Sequence, residues 1–277
     1  FITEDVWNYL LQNKNPWGAN NRNLLSLYQN ANASECPLVV DTSTPSCGNS
    51  RFGCWVCTVV EKDKSMEGLI DSGEDWMEPL LELRQDLKDT QDPEKKLEIR
   101  DFKRRTGQVT FQTDGTEKIT PGPYKIEFRK DFLKKLLLAQ NSVQKNGPDP
   151  TKRLILEEEL HEIQRIWRME QGDWENSVYQ IYEDVTGEAI SPVQEDIGGF
   201  SNVEQEILNK VCESNDVPKL LVSKLLHAEF DSQGMTRHSK VFTKIGKILS
   251  EEWRGFEDID TITKELKEKK DEKRKYT

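Results

Sequence analysis

Four cysteines in a short, loop-like segment constrain the fold of this chain more than any other feature. Four of its five cysteines follow the spacing C-x10-C-x6-C-x2-C: Cys36, Cys47, Cys54 and Cys57. The residues around them are rich in Pro, Ser, Gly, Thr and Asn, which favour loops over helices. Because a loop lets four thiols converge on one point, the segment is expected to fold around disulfides or a metal.

Four kinds of site contain clustered cysteines: disulfides, zinc sites, iron-sulfur clusters and redox-active dithiols. Disulfides suit an oxidising compartment, whereas the thiols of a cytoplasmic protein stay reduced. Zinc ribbons usually carry two C-x2-C pairs, and here only Cys54 and Cys57 form one. A 4Fe-4S cluster tolerates unequal spacing and favours an apolar shell, which Phe52, Trp55 and Val56 would supply. The spacing favours zinc and the cluster about equally, while a thioredoxin-like dithiol lacks its βαβ context.

Composition narrows the class of protein. The 277 residues are 35% hydrophobic and 32% charged, with a formal net charge of -11, which suits one large or two smaller domains. No run approaches the roughly 18 apolar residues of a membrane span and no secretory signal opens the sequence, so we expect a cytoplasmic protein. The negative charge argues against a general nucleic-acid coat, so contact with DNA would be local or shared with partners.

Helical periodicity dominates the rest of the chain. One apolar stripe at helical spacing consists of Phe128, Phe132, Leu133, Leu136 and Leu137. A break near Ser72 and Gly73 separates two earlier helical patterns, and Asp114-Gly115 between two β-compatible runs predicts a hairpin. The predicted fold is therefore mainly α, a helical domain with an irregular cysteine-rich metal-binding loop and one short β-hairpin.

Two other motifs contain reactive side chains. His161-Glu162 begins like the zinc motif H-E-x-x-H, but Arg165 replaces the second histidine, so an exposed helix face is expected. Cys212 lies in a helical pattern whose apolar face would include Ile207 and Val211. A buried inert thiol is the ordinary interpretation, and a persulfide carrier is the alternative.

Basic residues occur in two places. The segment "RDFKRRTGQ" contains Arg100, Lys103, Arg104 and Arg105, and we expect it on a helix, where it is either solvated or in contact with DNA phosphate. Three further cations flank the cysteines: Arg51, Lys62 and Lys64. They would offset the charge of a thiolate-bound cluster or steer an anionic substrate.

An extended pattern carries a resemblance to a known family. The stretch "CPLVVDTSTPSCGNSRFGCWVCTVVEKDKSMEGLI" is preceded by "TEDVWNYLL" and "NPWG" and followed by "WMEPLLELR" and "GPYKIEFRKDFL". Over residues 1 to about 140 the chain resembles the DndC family of DNA phosphorothioation proteins, within the phosphoadenosine phosphosulfate reductase family. The resemblance implies a 4Fe-4S cluster held by Cys36, Cys47, Cys54 and Cys57.

The resemblance also implies an activity and partners for the parent protein. Such proteins are similar to ATP pyrophosphatases, and with a cysteine desulfurase as sulfur donor and DndD and DndE as partners they place sulfur in the DNA backbone. DNA would be met through this complex. The family's Ser-Gly-Gly-x-Asp-Ser nucleotide loop does not occur in the sequence; only Gly198-Gly199 pairs glycines. We therefore expect the ATP site upstream of Phe1, in a longer protein, and no ATP hydrolysis by this chain alone.

These patterns divide the chain into three parts. The parts are the end of a nucleotide-domain-like region with the cluster-binding loop (1–60), a helical region with the hairpin (61–190) and a C-terminal helical region (191–277). Two functions other than sulfur transfer remain open: a zinc-stabilised interaction module without catalysis and a ferredoxin-like electron carrier. The sequence indicates no catalytic residue.

Overall fold

A computed structural model describes residues 2–25, 55–58, 62–112, 118–191, 202–230 and 239–275. The fold is mainly α-helical, as predicted. The helices in chain order are α1 Thr3–Gln12, α2 Lys64–Asp71, α3 Glu78–Asp89, α4 Lys96–Ile99, α5 Ile126–Asn146, α6 Glu157–Gln171, α7 Ser177–Thr186, α8 Asn202–Ser214, α9 Lys219–Phe230, α10 Ser239–Leu249 and α11 Ile259–Lys275. Short 3-10 turns cover Asp75–Met77 and Phe256–Asp258.

The chain divides into two compact units that alternate along the sequence. The first unit contains Phe1–Pro93 and Lys135–Ile155, and the second contains Glu94–Lys134 and Leu156–Thr277. The sequence patterns predict domain boundaries near residues 60 and 190. These domain boundaries stay predictions. The polar stretch expected to mark the second boundary lies mostly outside the described residues.

The first unit has a small apolar core. Met66, Leu80 and Val143 are buried together, and half-buried side chains pack around them: Trp55, Ile70, Trp76, Met77, Leu81 and Leu154. Helix α2 begins because the Asp63 carboxylate accepts a hydrogen bond from Met66 N at 3.0 Å, which satisfies one of the first-turn donors. It ends before Gly73, whose φ of 102° is unfavourable for other residues. The predicted break near Ser72 and Gly73 is therefore confirmed.

The second unit is held by an apolar cluster and by a buried amide. The cluster contains Phe102, Val109 and Ile262, with Ile119, Ile259 and Leu266 against it. Elsewhere in the unit, the fully buried Gln164 of α6 accepts a hydrogen bond from Val178 N at 2.9 Å and so joins α6 to α7. Gly172, in the left-handed conformation with φ of 67°, ends α6.

The predicted hairpin stays a prediction. Its turn, Asp114-Gly115, lies outside the described residues. The residues on either side make one isolated antiparallel bridge, between Phe111 and Ile119. Thr120 N also donates to Thr110 O at 2.7 Å, so the two runs lie side by side.

Among the described residues, no helix is both long and apolar enough to cross a lipid bilayer.

Candidate functional site

Cys57 is the one predicted metal ligand that the structure describes. It is a free, half-buried thiol directly after a turn at residues 55–56. Cys36, Cys47 and Cys54 lie outside the described residues, as does Phe52. Within the described ranges, no group of three or more His, Cys, Asp or Glu side chains is arranged to hold a metal ion. The four-cysteine site therefore stays a prediction.

The turn that carries Cys57 is fixed to the core of the first unit. Trp55 packs against the buried cluster of Met66, Leu80 and Val143. The indole thus has a packing role, whereas Val56, 39% exposed, points part of its surface to solvent. Because large aromatic side chains bury much apolar surface, Trp55 holds the backbone two residues before Cys57.

A lysine supports the other side of Cys57. Lys88 Nζ, in the last turn of α3, lies 3.5 Å from the carbonyl oxygen of Thr58. The thiol therefore lies between two residues that contact the rest of the first unit, Trp55 and Thr58. Sequence reasoning missed Lys88, since it is 30 residues from Thr58 and no local spacing connects them.

Three basic residues flank the cysteines in the sequence: Arg51, Lys62 and Lys64. Lys62 is exposed and Lys64 is half-buried at the start of α2, while Arg51 lies outside the described residues. The proposed role of these cations in balancing a cluster stays a prediction. Lys88 is the lysine with a described contact to the Trp55–Thr58 segment.

His161 and Glu162 have structural partners. His161 Nδ1 lies 3.0 Å from the hydroxyl oxygen of Tyr179, and its Nε2 lies 3.7 Å from a Glu157 carboxylate oxygen. Both Glu162 oxygens accept from the Arg165 guanidinium, at 2.6 and 2.7 Å. Those hydrogen bonds lower the pKa of Glu162. Glu162 and Arg165 lie on an exposed helix face, as predicted, whereas the His161 side chain is only 19% exposed.

Cys212 is buried, with 4% of its surface exposed. The predicted apolar face of α8 is wrong, because Ile207 and Val211 are 56% and 54% exposed. The Cys212 carbonyl accepts from Asn215 N and Val217 N, which closes the turn after α8. A buried thiol beside a backbone turn fits the inert interpretation.

The basic segment after α4 is irregular, so its prediction as part of a helix is wrong. Its arginines contact the protein itself. The Arg100 guanidinium lies 4.0 Å from the centre of the Tyr124 ring, and Arg104 Nη1 donates to the Pro121 carbonyl at 2.9 Å. Arg105 pairs with Glu170 at 2.9 Å. These contacts stabilise the second unit and weaken the case for a DNA surface here.

Comparisons with protein-family models, curated proteins and solved structures found no match to this chain. The fold and site define the chain as a mainly α-helical protein of two compact units. Of the four clustered cysteines, Cys57 is the one among the described residues, and it lies in the first unit on a segment anchored to the core of that unit.

Proposed function

We propose that this chain is the cluster-bearing part of a DndC-like sulfurtransferase that helps to place sulfur in the DNA backbone. The observation that supports the proposal is the position of Cys57, the last thiol of a four-cysteine pattern, on a segment held by Trp55 and Lys88. A cluster site needs thiolates on a backbone that keeps them close to apolar surface. Cys57, half-buried beside the Trp55 packing site, fits that need.

Cys36, Cys47, Cys54 and Cys57 would be the four ligands of the 4Fe-4S cluster. Four thiolates are the ordinary donor set of such a cluster. When bound, it would hold its four ligands in one geometry and supply electron-transfer or sulfur-handling chemistry. The protein's own contribution would be to position one ligand before the cluster binds, because Trp55 and Lys88 hold the segment around Cys57. The other three thiolates would then complete the site.

The proposal places the chain in a larger system. The parent protein would be an ATP pyrophosphatase, and no ATP ligand is assigned to this chain. A cysteine desulfurase would deliver sulfur, and DndD and DndE would be partners in a cytoplasmic complex that meets DNA.

Metal and sulfide content tests the proposal. After anaerobic purification of the full chain, we expect about four iron and four sulfide per chain, with visible absorption of an iron-sulfur cluster. Cys57→Ser should lose most of the iron, because it removes a ligand. Cys212→Ser is the matched control, since this cysteine lies outside the pattern, and it should retain the iron. One zinc without sulfide, persisting in iron-replete growth, would rule out the cluster.

A zinc-stabilised interaction module is the second candidate. The packing of Trp55 against the core favours it, because a segment already held by apolar contacts is also suited to a purely structural zinc site. The same measurement separates the two: Cys57→Ser would then release zinc, and no sulfide would be found in either protein.

A further inference from the structure

A groove in the first unit lies between α3 and α5. It has a volume of about 600 Å³. On both helices its lining includes the residues three, four and seven positions after the first, from Pro79 to Asp86 on α3 and from Lys135 to Ser142 on α5. Residues at these intervals share one face of a helix, so each helix turns one face to the groove. The whole lining belongs to the first unit.

Different contacts hold the two ends of this α3–α5 groove. At one end, Lys135 Nζ donates to a carboxylate oxygen of Asp86 at 2.8 Å. At the other end, Leu80 of α3 and Val143 of α5 belong to the buried cluster around Met66. The two helices are therefore antiparallel. The lined stretch of each helix is about 10 Å long, or about two turns.

The floor of the α3–α5 groove is apolar. Leu83 and Ala139 line it with 3% and 4% of their surface exposed, whereas Leu138 on the α5 side is 50% exposed. A single exposed leucine is common on protein surfaces. Beside a concave apolar floor, however, an exposed leucine offers a surface that a second apolar side chain can cover, and removing both surfaces from water is favourable.

The charges along the α3–α5 groove indicate the kind of partner. Its charged lining residues are Glu82, Asp86 and Lys135, and the charge of Lys135 is matched by Asp86. Glu78 lies one turn before Glu82, so three carboxylates follow one another at four-residue intervals along the α3 side. Both glutamates are exposed. Like charges at this spacing repel one another, and a cation beside them would relieve that repulsion.

We propose that the α3–α5 groove binds a basic amphipathic helix of a partner protein. Apolar side chains of that helix would pack on Leu83, Leu138 and Ala139, and its Lys or Arg side chains would lie along Glu78 and Glu82. A two-turn groove between two helices suits the apolar face of a third helix, which contacts it through residues three and four positions apart. The complementary charge favours a basic helix over an acidic one. The interaction goes beyond the proposed cluster function, because it needs no cysteine.

Fluorescence anisotropy with synthetic peptides tests the proposal on the full chain. The first peptide is a labelled helix with leucines on one face and lysines on the other. The second has glutamates in place of the lysines, and the third has the composition of the first in an order without an apolar face. We expect the first peptide to bind at least about tenfold more tightly than each of the others, because only the first combines an apolar face with positive charge.

Two results with these peptides would overturn the proposal. Equal binding of the first and third would mean nonspecific attraction to a chain with a net charge of -11. Equal binding of the first and second would mean that the carboxylates of α3 do not select the partner.

Leu138→Ser locates the apolar contact. It should weaken binding of the first peptide about tenfold, because it removes the exposed apolar side chain of the groove. Leu156→Ser is the matched control: Leu156 is also 50% exposed, but it lies outside the groove in the second unit, so the affinity should stay unchanged. Similar weakening by both variants would place the peptide elsewhere on the chain and contradict the proposal.

Glu78→Gln combined with Glu82→Gln tests the charged side. This pair should weaken binding several-fold and reduce its dependence on salt, since two exposed carboxylates are removed. The control combines Glu158→Gln with Glu183→Gln, which removes the same charge from exposed positions of the second unit and should leave the affinity unchanged. Equal effects of the two pairs would remove the acidic side of α3 from the binding surface.

Sedimentation velocity tests a second copy of this chain as the competing occupant. We expect the wild type and Leu138→Ser to have the same association state. Wild-type dimers that Leu138→Ser abolishes would mean that a second copy occupies the groove, and the proposal of a partner helix would be wrong. Neither measurement depends on iron content, so failure of the groove proposal and failure of the cluster proposal are distinguishable.

Discussion

Gln164 joins several backbone segments of the second unit from a fully buried position. Its Nε2 donates to the main-chain oxygen and to a carboxylate oxygen of Asp173, both at 3.1 Å, and its Oε1 accepts from Val178 N at 2.9 Å. Asp173 also accepts from Ser177 Oγ at 2.6 Å. Because every member is buried, water cannot replace a lost bond in this network.

Gln164→Leu is expected to lower the free energy of unfolding by about 3 kcal/mol. The variant keeps the volume but leaves Val178 N-H and the Asp173 main-chain oxygen without their partner, and it leaves Asp173 Oδ2 with the bond from Ser177 N alone. Gln180→Leu is the control, because Gln180 makes an exposed bond to the Glu175 carbonyl and should change stability by less than about 0.5 kcal/mol. Urea unfolding followed by circular dichroism measures both, and similar losses would contradict this role for Gln164.

Buried polar residues of this kind were not predicted from the sequence. Periodicity assigns apolar residues to the inside, so it gives no reason to place Gln164 and Gln140 in the core. Gln140 is 6% exposed, and its Oε1 accepts from Leu154 N and Ile155 N, at 2.7 and 3.2 Å. Its partners are 14 and 15 residues away, beyond the range of helical spacing. Cys212 was predicted correctly as buried, although the apolar face assigned to α8 was not.

At the scale of elements, long amphipathic helices were predictable and the connection after α4 was not. The stripe of α5 is confirmed, since Leu133 and Leu137 are 4% and 0% exposed and Phe128 stacks on Phe132 at 6.0 Å. The basic segment is irregular because its backbone bonds to a distant strand-like run. Asp101 N donates to Pro123 O at 2.8 Å, and Asp101 O accepts from Gly122 N at 2.7 Å. These bonds take the place of the hydrogen bonds between residues four apart that a helix requires.

Arg254 connects the segment after α10 to α11. Its guanidinium donates to both oxygens of Glu252, at 2.8 Å each, and to Glu265 of α11 at 3.1 Å. These hydrogen bonds hold the pKa of Glu252 below its ordinary value of 4.5. A carboxylate whose folded-state pKa is lowered stabilises the fold above its unfolded-state pKa, and this contribution is lost as the pH falls through the folded-state value.

Arg254→Met should therefore lower stability at pH 7, and the difference in the free energy of unfolding between wild type and variant should narrow as the pH falls below the ordinary glutamate pKa of 4.5 and through the lower folded-state pKa of Glu252. Denaturant unfolding across this pH range measures the difference. Arg165→Met is the control, since Arg165 pairs with Glu162 on an exposed helix face, where a pair contributes little. A difference in the free energy of unfolding that stays constant or grows in acid would contradict the role assigned to the Arg254–Glu252 pair.

At the scale of the molecule, the mainly helical fold was predictable but the division into units was not. The first unit combines residues up to Pro93 with Lys135–Ile155. Such a division depends on contacts between distant segments, which local composition does not record. The two units have separate apolar clusters, one around Met66 and Leu80 and the other around Phe102. Because Cys57, the described ligand of the proposed site, belongs to the first unit, metal binding should stabilise that unit selectively.

Hydrogen exchange tests this selectivity by comparing metal-loaded and metal-free chain. Removing the metal should speed exchange about tenfold or more at Trp55–Thr58 and at Met66 and Leu80, since Trp55 transmits the loss of the Cys57 anchor to that cluster. Exchange at Phe102 and Ile262 should be unchanged, because these residues belong to the other unit. Cys57→Ser, treated in the same way, should give no difference between treated and untreated samples. Equal acceleration of exchange in both clusters would mean that the metal stabilises the whole chain. Unchanged exchange near Trp55 would mean that Cys57 is not a ligand of the metal.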